Sequence, residues 1–254
     1  MTTGQLYEKL SEIIPKKLSC DWDNDGLMYC VDKERQVKRV LISLDVTLDV
    51  INYAVSKDFD TIVSHHPLIF KPLTCLDFEG AVGARLKKII KHDITVMSFH
   101  TRLDCVAVNA CLADALGLTE ICEFYLDELP MGRIGLLERE MSVKDFAFFI
   151  KESICATTVG YPSVEGATVK KIAVLGGSGS DAVSVAMKLG ADALVTGECS
   201  YNKMLDAADC GLYVFTAGHF ETENKVCGYL YNELNRIDEN IYYQIYNSGN
   251  IANI

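Results

Sequence analysis

The stretch VKRVLISLDVTLDVINYAVSKDFDTIVSHH, residues 37–66, is echoed without a gap by VKKIAVLGGSGSDAVSVAMKLGADALVTGE, residues 169–198, a constant offset of 132. Asp49/Asp181, Ala54/Ala186, Asp60/Asp192 and Val63/Val195 are identities. In each copy a short apolar run gives way to a loop and then to apolar residues at helical spacing. These are Val50, Ile51, Ala54 and Val55 in the first copy and Ala182, Val183, Val185 and Ala186 in the second. A second apolar run follows, Thr61-Ile62-Val63 or Ala193-Leu194-Val195. This change of period predicts a strand, a helix and a buried strand in each copy. Both units stop at polar clusters, Ser64-His65-His66 and Thr196-Gly197-Glu198. In open α/β sheets, ligands bind at the carboxyl ends of strands.

A third echo extends the unit. Ile94-Thr95-Val96-Met97 leads into His100-Thr101-Arg102-Leu103-Asp104, and Leu212-Tyr213-Val214-Phe215 leads into His219-Phe220-Glu221-Thr222-Glu223, the histidines now offset by 119. The chain reads as an α/β protein made by duplication, its two lobes each carrying helices packed on a β-sheet. The expected lobes are residues 1–128 and 129–254, joined at Leu129-Pro130-Met131-Gly132, with ligands bound in the cleft between them. An alternative left open is that the C-terminal segment returns to the first lobe.

The 254 residues suffice for two ordinary cores, and 49% hydrophobic with 23% charged residues excludes a disordered chain. A net charge of -11 argues against specialised nucleic-acid binding, because a phosphate backbone is repelled at long range. Any anionic substrate needs bound cations to offset that field. No apolar run is long enough to span a membrane, and the N-terminal residues lack the basic and apolar segments of a signal peptide. Ten cysteines without a CxxC pair fit reduced thiols, expected to be buried or half-buried, and a cytoplasmic address.

The five histidines are His65, His66, His92, His100 and His219, and four of them lie just beyond a predicted strand. His100 and Asp104, like His219 and Glu223, are four residues apart, so on a helix each pair shares a face. Imidazole with carboxylate suits zinc, iron, manganese or nickel, and argues against a pure magnesium site. Side chains alternate along an extended segment, so His65 and His66 are expected to point apart and to serve two ions rather than one.

Other motifs carry less. Leu175-Gly176-Gly177-Ser178-Gly179-Ser180-Asp181 could cradle a phosphate at a helix start, but it lacks the Walker and GxGxxG spacings, so a tight turn is favoured. Trp22-Asp23-Asn24-Asp25-Gly26 reads as a turn with a buried aromatic anchor. There is no GxSxG elbow.

Six motifs in order carry a family resemblance: WDNDGL at 22–27, SLDVT at 43–47, SHHPLIF at 64–70, HTRLD at 100–104, GADALVTGE at 190–198 and GHFETE at 218–223. The chain resembles the dinuclear-metal family of the NGG-one-interacting factor three, whose bacterial members are labelled GTP cyclohydrolase 1 type 2 homologs. The resemblance implies that His66 and Asp104 hold one divalent transition-metal ion, that His65 and His219 hold a second, and that Glu223 bridges both. It places His100 near the site, either supporting the ligands from behind or facing the substrate, and it implies a toroidal homohexamer. Where the family commonly reads HTNLD this chain has Arg102, which stands as a candidate for altered substrate access or phosphate binding. A further departure is Asp104-Cys105-Val106-Ala107-Val108, where a glycine-rich turn is usual.

The function implied is a metal-dependent hydrolase that uses metal-activated water on a nucleotide or a related small-molecule substrate. If the label holds, the substrate is GTP, attacked at the purine C8 with loss of formate. The alternative is a non-enzymatic metal-binding scaffold or adaptor.

Overall fold

The computed structural model describes residues 1–249. Among them ten strands form two five-stranded sheets. In chain order they are β1 (Gly26–Tyr29), β2 (Arg39–Ser43), β3 (Thr61–Ser64), β4 (Thr95–Ser98), β5 (Thr119–Leu126), β6 (Leu129–Ser142), β7 (Thr168–Ser178), β8 (Ala193–Glu198), β9 (Tyr213–Thr216) and β10 (Tyr242–Ile245). The chain separates into two compact units, Met1–Leu103 with Val226–Gly249, and a second beginning at Asp104 and running to Lys225.

The first unit has strand order β1-β4-β3-β2-β10, parallel except for β1. Its helices are α1 (Thr3–Ile13), α2 (Leu48–Ser56), α3 (Ala81–His92), the single turn α4 (Thr101–Leu103) and α10 (Val226–Ile237). Their starts follow local chemistry. Thr2 and Gln5 form a capping box at α1, and the Thr47 hydroxyl accepts from the Val50 amide at α2. The apolar stripe of α2 (Val50, Ile51, Ala54) packs with Leu41, Ile62 and Val96 of the sheet and Ile89 of α3.

The second unit has order β5-β6-β7-β8-β9, with β7, β8 and β9 parallel. Its helices are α5 (Asn109–Ala115), α6 (Val143–Ser153), α7 (Val183–Lys188), α8 (Tyr201–Asp209) and α9 (His219–Glu223). Alternation along β7 divides its side chains between two cores. Ile172 and Val174 join Phe146 and Ile150 of α6, whereas Ala173 and Leu175 join Ala182, Val183 and Ala186.

The duplication holds at the level of register. Val40 pairs with Thr61 and Leu41 with Ile62; Ile172 pairs with Ala193 and Ala173 with Leu194, each position displaced by the same offset. A shared device fixes both copies. Asp60 Oδ2 accepts from the amides of Lys38 and Arg39 at 2.9 and 3.1 Å, and Asp192 Oδ2 accepts from Lys170 and Lys171 at 2.9 and 2.8 Å. Each aspartate thus ties the entry of one strand to the entry of the next.

Three expectations change here. The boundary near 128/129 falls within one sheet, between the paired β5 and β6, and the chain divides instead after Leu103. Leu129-Pro130-Met131-Gly132 is the start of β6 and not a linker. The segment that returns is β10, parallel to β2. The remainder of the expected second lobe, residues 250–254, lies outside the described residues. None of the ten cysteines is in a disulfide; Cys105 and Cys227 are buried, but Cys75, Cys122, Cys155 and Cys210 are exposed, which corrects the expectation of sheltered thiols for those four. Among the described residues no helix is long and apolar enough to cross a membrane.

Candidate metal centre

In the first unit, β3 ends at Ser64 and the chain bends immediately, so His65 and His66 no longer follow strand alternation. The Ser64 hydroxyl donates to the His66 carbonyl at 2.8 Å, closing the bend. The two imidazoles lie 4.8 Å apart between ring centroids. With His100, just beyond β4, each offers a ligand atom within 4.8 Å of the others. The expectation that the adjacent histidines point apart is therefore overturned, because the residues are in a turn and not in extended backbone.

Each of these rings is oriented through Nδ1. His65 Nδ1 donates to the Phe99 carbonyl at 3.0 Å, which can only accept. His66 Nδ1 pairs with Asp45 Oδ1 at 2.7 Å and His100 Nδ1 with Asp23 Oδ1 at 2.8 Å. Neutral imidazoles so arranged carry the lone pair on Nε2, the state in which histidine ligates a metal. Asp45 is itself fixed by the Ser248 hydroxyl at 3.2 Å. Asp23 also accepts from the Thr101 amide and hydroxyl at 3.0 and 2.7 Å. Burial raises the Asp23 carboxyl, but hydrogen bonds from His100 and Thr101 outweigh it and hold the group down at about 2.

In the second unit, His219 opens α9 behind Gly218, and Glu223 follows one turn later on the same face. His219 Nε2 lies 3.3 Å from Glu223 Oε2, and His219 Nδ1 lies 3.4 Å from Glu198 Oε1 at the end of β8. Glu223 is buried. Gly177, with φ +64°, forms the floor beneath it: a Cβ there would lie 2.2 Å from Glu223 Oε1 and 3.2 Å from His219 Nε2. The repeat aligns Glu198 with His66, His219 with His100 and Glu223 with Asp104, so each copy supplies three polar groups at matching strand ends and helix starts. Asp104 opens the wide π-helical turn Asp104–Val108, and its carbonyl accepts from Asn109 Nδ2 at 3.3 Å.

The donors suit a divalent transition ion. In the first unit His65, His66 and His100 form an all-nitrogen set, and in the second His219 with the buried Glu223 carboxylate forms a mixed nitrogen and oxygen pair over a glycine floor where any side chain would intrude.

Three sequence readings are corrected. Arg102 has no solvent exposure; its Nε donates to Asp25 Oδ2 at 2.9 Å and its Nη1 to the Ile14 carbonyl at 3.0 Å, so it is a structural cation and offers nothing to a phosphate. Trp22 is not a buried anchor but 64% exposed. The Gly176-Gly177 segment continues β7 rather than forming a tight turn. Neither of its amides is available to cradle phosphate, since Gly176 N donates to Asn109 Oδ1 and Gly177 N to Thr222 Oγ1. The sequence reading missed Asp45 and Asp23. The signal for Asp45 was its position just past β2, at the same sheet edge as His65 and His66.

Known proteins place the chain. A Clostridium acetobutylicum protein named GTP cyclohydrolase 1 type 2 homolog is 34% identical over 84% of this chain and 82% of its own length. A protein of the same name from Clostridium perfringens is 32% identical over 88% of this chain and 87% of its own. Among solved structures, a Bacillus cereus protein related to NIF3 superposes with a TM-score of 0.90 at 23% identity, covering 100% of this chain and 99% of that one, a likeness of fold alone. Staphylococcus aureus protein SA1388 superposes with a TM-score of 0.89 at 28% identity, again covering 100% and 99%. The sequence profile of one family matches residues 1–252. The chain belongs to that family, Duf34/NIF3 (NGG1p interacting factor 3).

Proposed function

We propose that the protein is a dinuclear metal-dependent hydrolase acting on a nucleotide or a related anionic small molecule. In this reading His66 and Asp104 hold one divalent ion, His65 and His219 hold the other, and Glu223 serves both. The observation that carries it is the common orientation of His65, His66 and His100, each bound through Nδ1 to an oxygen that leaves the lone pair on Nε2, for ligation at His65 and His66 and for proton transfer at His100. The names of the clostridial relatives support GTP as the first substrate to try.

A bound pair of divalent ions supplies Lewis acidity and lowers the pKa of water from 15.7 to about 7. The chain's own groups do the rest. Asp45 keeps the His66 ring in one tautomer and one orientation. Asp23 does the same for His100, which, outside the ligand set, would give or accept a proton at Nε2. Two carboxylates, Asp104 and Glu223, offset only half of the charge on two divalent ions, so an anion is attracted locally despite a net charge of -11.

The test is elemental analysis of the untagged protein together with formate release from GTP. About two transition ions per chain are expected, with turnover abolished by Glu223→Ala. Protein that takes up no transition ion sinks the proposal. Ions bound with no turnover of GTP or model phosphodiesters would assign the scaffold role instead.

A further inference from the structure

Two large aromatic side chains in the first unit have no part in holding ions, yet both touch His100. Trp22 is 64% exposed and Phe70 46% exposed. Their rings meet edge to face, with centroids 6.1 Å apart and planes at 69°. Each also meets the His100 ring edge to face, Trp22 at 6.2 Å and 74° and Phe70 at 5.8 Å and 85°. Scattered exposed hydrophobic residues are ordinary. Two aromatic rings converging from separate loops on one histidine of a polar cluster are a more specific arrangement.

Hydrogen bonds tie the arrangement together. The Asn24 side-chain amide donates to the Ile69 carbonyl, tying the loop that carries Trp22 to the loop that carries Phe70. Asp23, next to Trp22 in the chain, holds both His100 and Thr101. The aromatic faces are thus fixed relative to the imidazole, and little ordering remains to be done on binding. The indole face is chemically suited to a flat conjugated ring, which stacks on it whatever its hydrogen-bonding edge. The protein's net charge of -11 repels nucleotide phosphates at long range, so away from the bound cations an uncharged ring is a further source of binding energy.

We infer that Trp22 and Phe70 form a stacking platform for the planar heteroaromatic ring of the substrate, a purine or a ring of similar size, and seat it against His100. The inference rests on the reading of the histidine cluster as a reactive centre and names the substrate class that such a centre receives.

Trp22 is the single tryptophan of the chain, so intrinsic fluorescence reports on this site alone. Metal-loaded full-length protein is titrated with guanosine and, separately, with ribose 5-phosphate. Guanosine is expected to quench the emission saturably and ribose 5-phosphate to leave it unchanged. Phe70→Ala should weaken guanosine binding about tenfold, and Trp22→Leu should raise KM for GTP about 10- to 100-fold with kcat little changed. Metal content in both variants should match the parent protein. Absence of guanosine quenching in a protein that binds metal and turns over GTP overturns the platform alone, as does an unchanged KM in both variants. Guanosine quenching in a protein that takes up no metal supports the platform and overturns the hydrolase.

Discussion

Arg102 and Asp25 form an ion pair in which neither side chain reaches solvent, with Nε 2.9 Å from Oδ2. The guanidinium also lies over the Phe99 ring at 4.4 Å, and Asp25 accepts in addition from Lys16 and Ser19. Removing one partner of such a pair leaves a charge in a low-dielectric interior. Asp25→Ala should therefore destabilise the protein by about 3–5 kcal/mol, whereas replacing both residues with apolar ones of similar volume should recover most of that loss. Urea denaturation midpoints check this, and a loss below about 1 kcal/mol would place the pair with ordinary surface bridges.

The contact between Asp45 and His66 acts on the imidazole ring rather than on an ion directly. Asp45→Ala should lower metal affinity by about 10- to 100-fold, and Asp45→Asn, which keeps an acceptor for the Nδ1 proton, should recover part of it. Competition with a chromophoric chelator gives the affinity. An unaltered affinity in the alanine variant would show that the ring is held by its surroundings without the carboxylate.

Gly177 is required twice, by its φ of +64° and by the proximity of Glu223 Oε1. Gly177→Ala should push the Glu223 carboxylate out of its seat and reduce metal retention after gel filtration at least tenfold, with a stability cost of only about 1 kcal/mol. Retention equal to the parent protein would mean that Glu223 is not needed where the structure places it.

The thiols should divide by burial. Burial, and after it the Asp45 carboxylate, push the Cys227 thiol up to about 12. At pH 8 the native protein should be alkylated at Cys75, Cys122, Cys155 and Cys210 and protected at Cys227, read by peptide mass spectrometry. The sign of the stability effect follows. The folded value lies above the unfolded one, so the contribution of this thiol is complete below about pH 8.5 and is lost as pH rises towards 12. Cys227→Ala should remove that part of the alkaline decline; an unchanged alkaline limb would count against a buried neutral thiol.

The gap-free echo at one offset was enough, by itself, to give two α/β units, their buried strands and the polar clusters at the strand ends. Hydrophobic period is a local property that marks each strand, and the equivalent Val40–Thr61 and Ile172–Ala193 registers agree with the repeat. The pairing of His219 with Glu223 was legible for the same reason, since helical spacing fixes which residues share a face.

What the sequence could not decide depended on long-range closure. The junction after Leu103, the seating of β10 beside β2, and the burial of Arg102 against Asp25 each join residues far apart in the chain. The reach of His65 and His66 into one cluster turned on a bend after Ser64 that residue type alone does not dictate. Asp23 and Asp45 acquired their roles only when the folded sheet brought them to imidazoles that no local pattern predicts. Local sequence sets period and capping, whereas hydrogen-bond partners across tens of residues are chosen by which polar groups the completed core leaves facing one another.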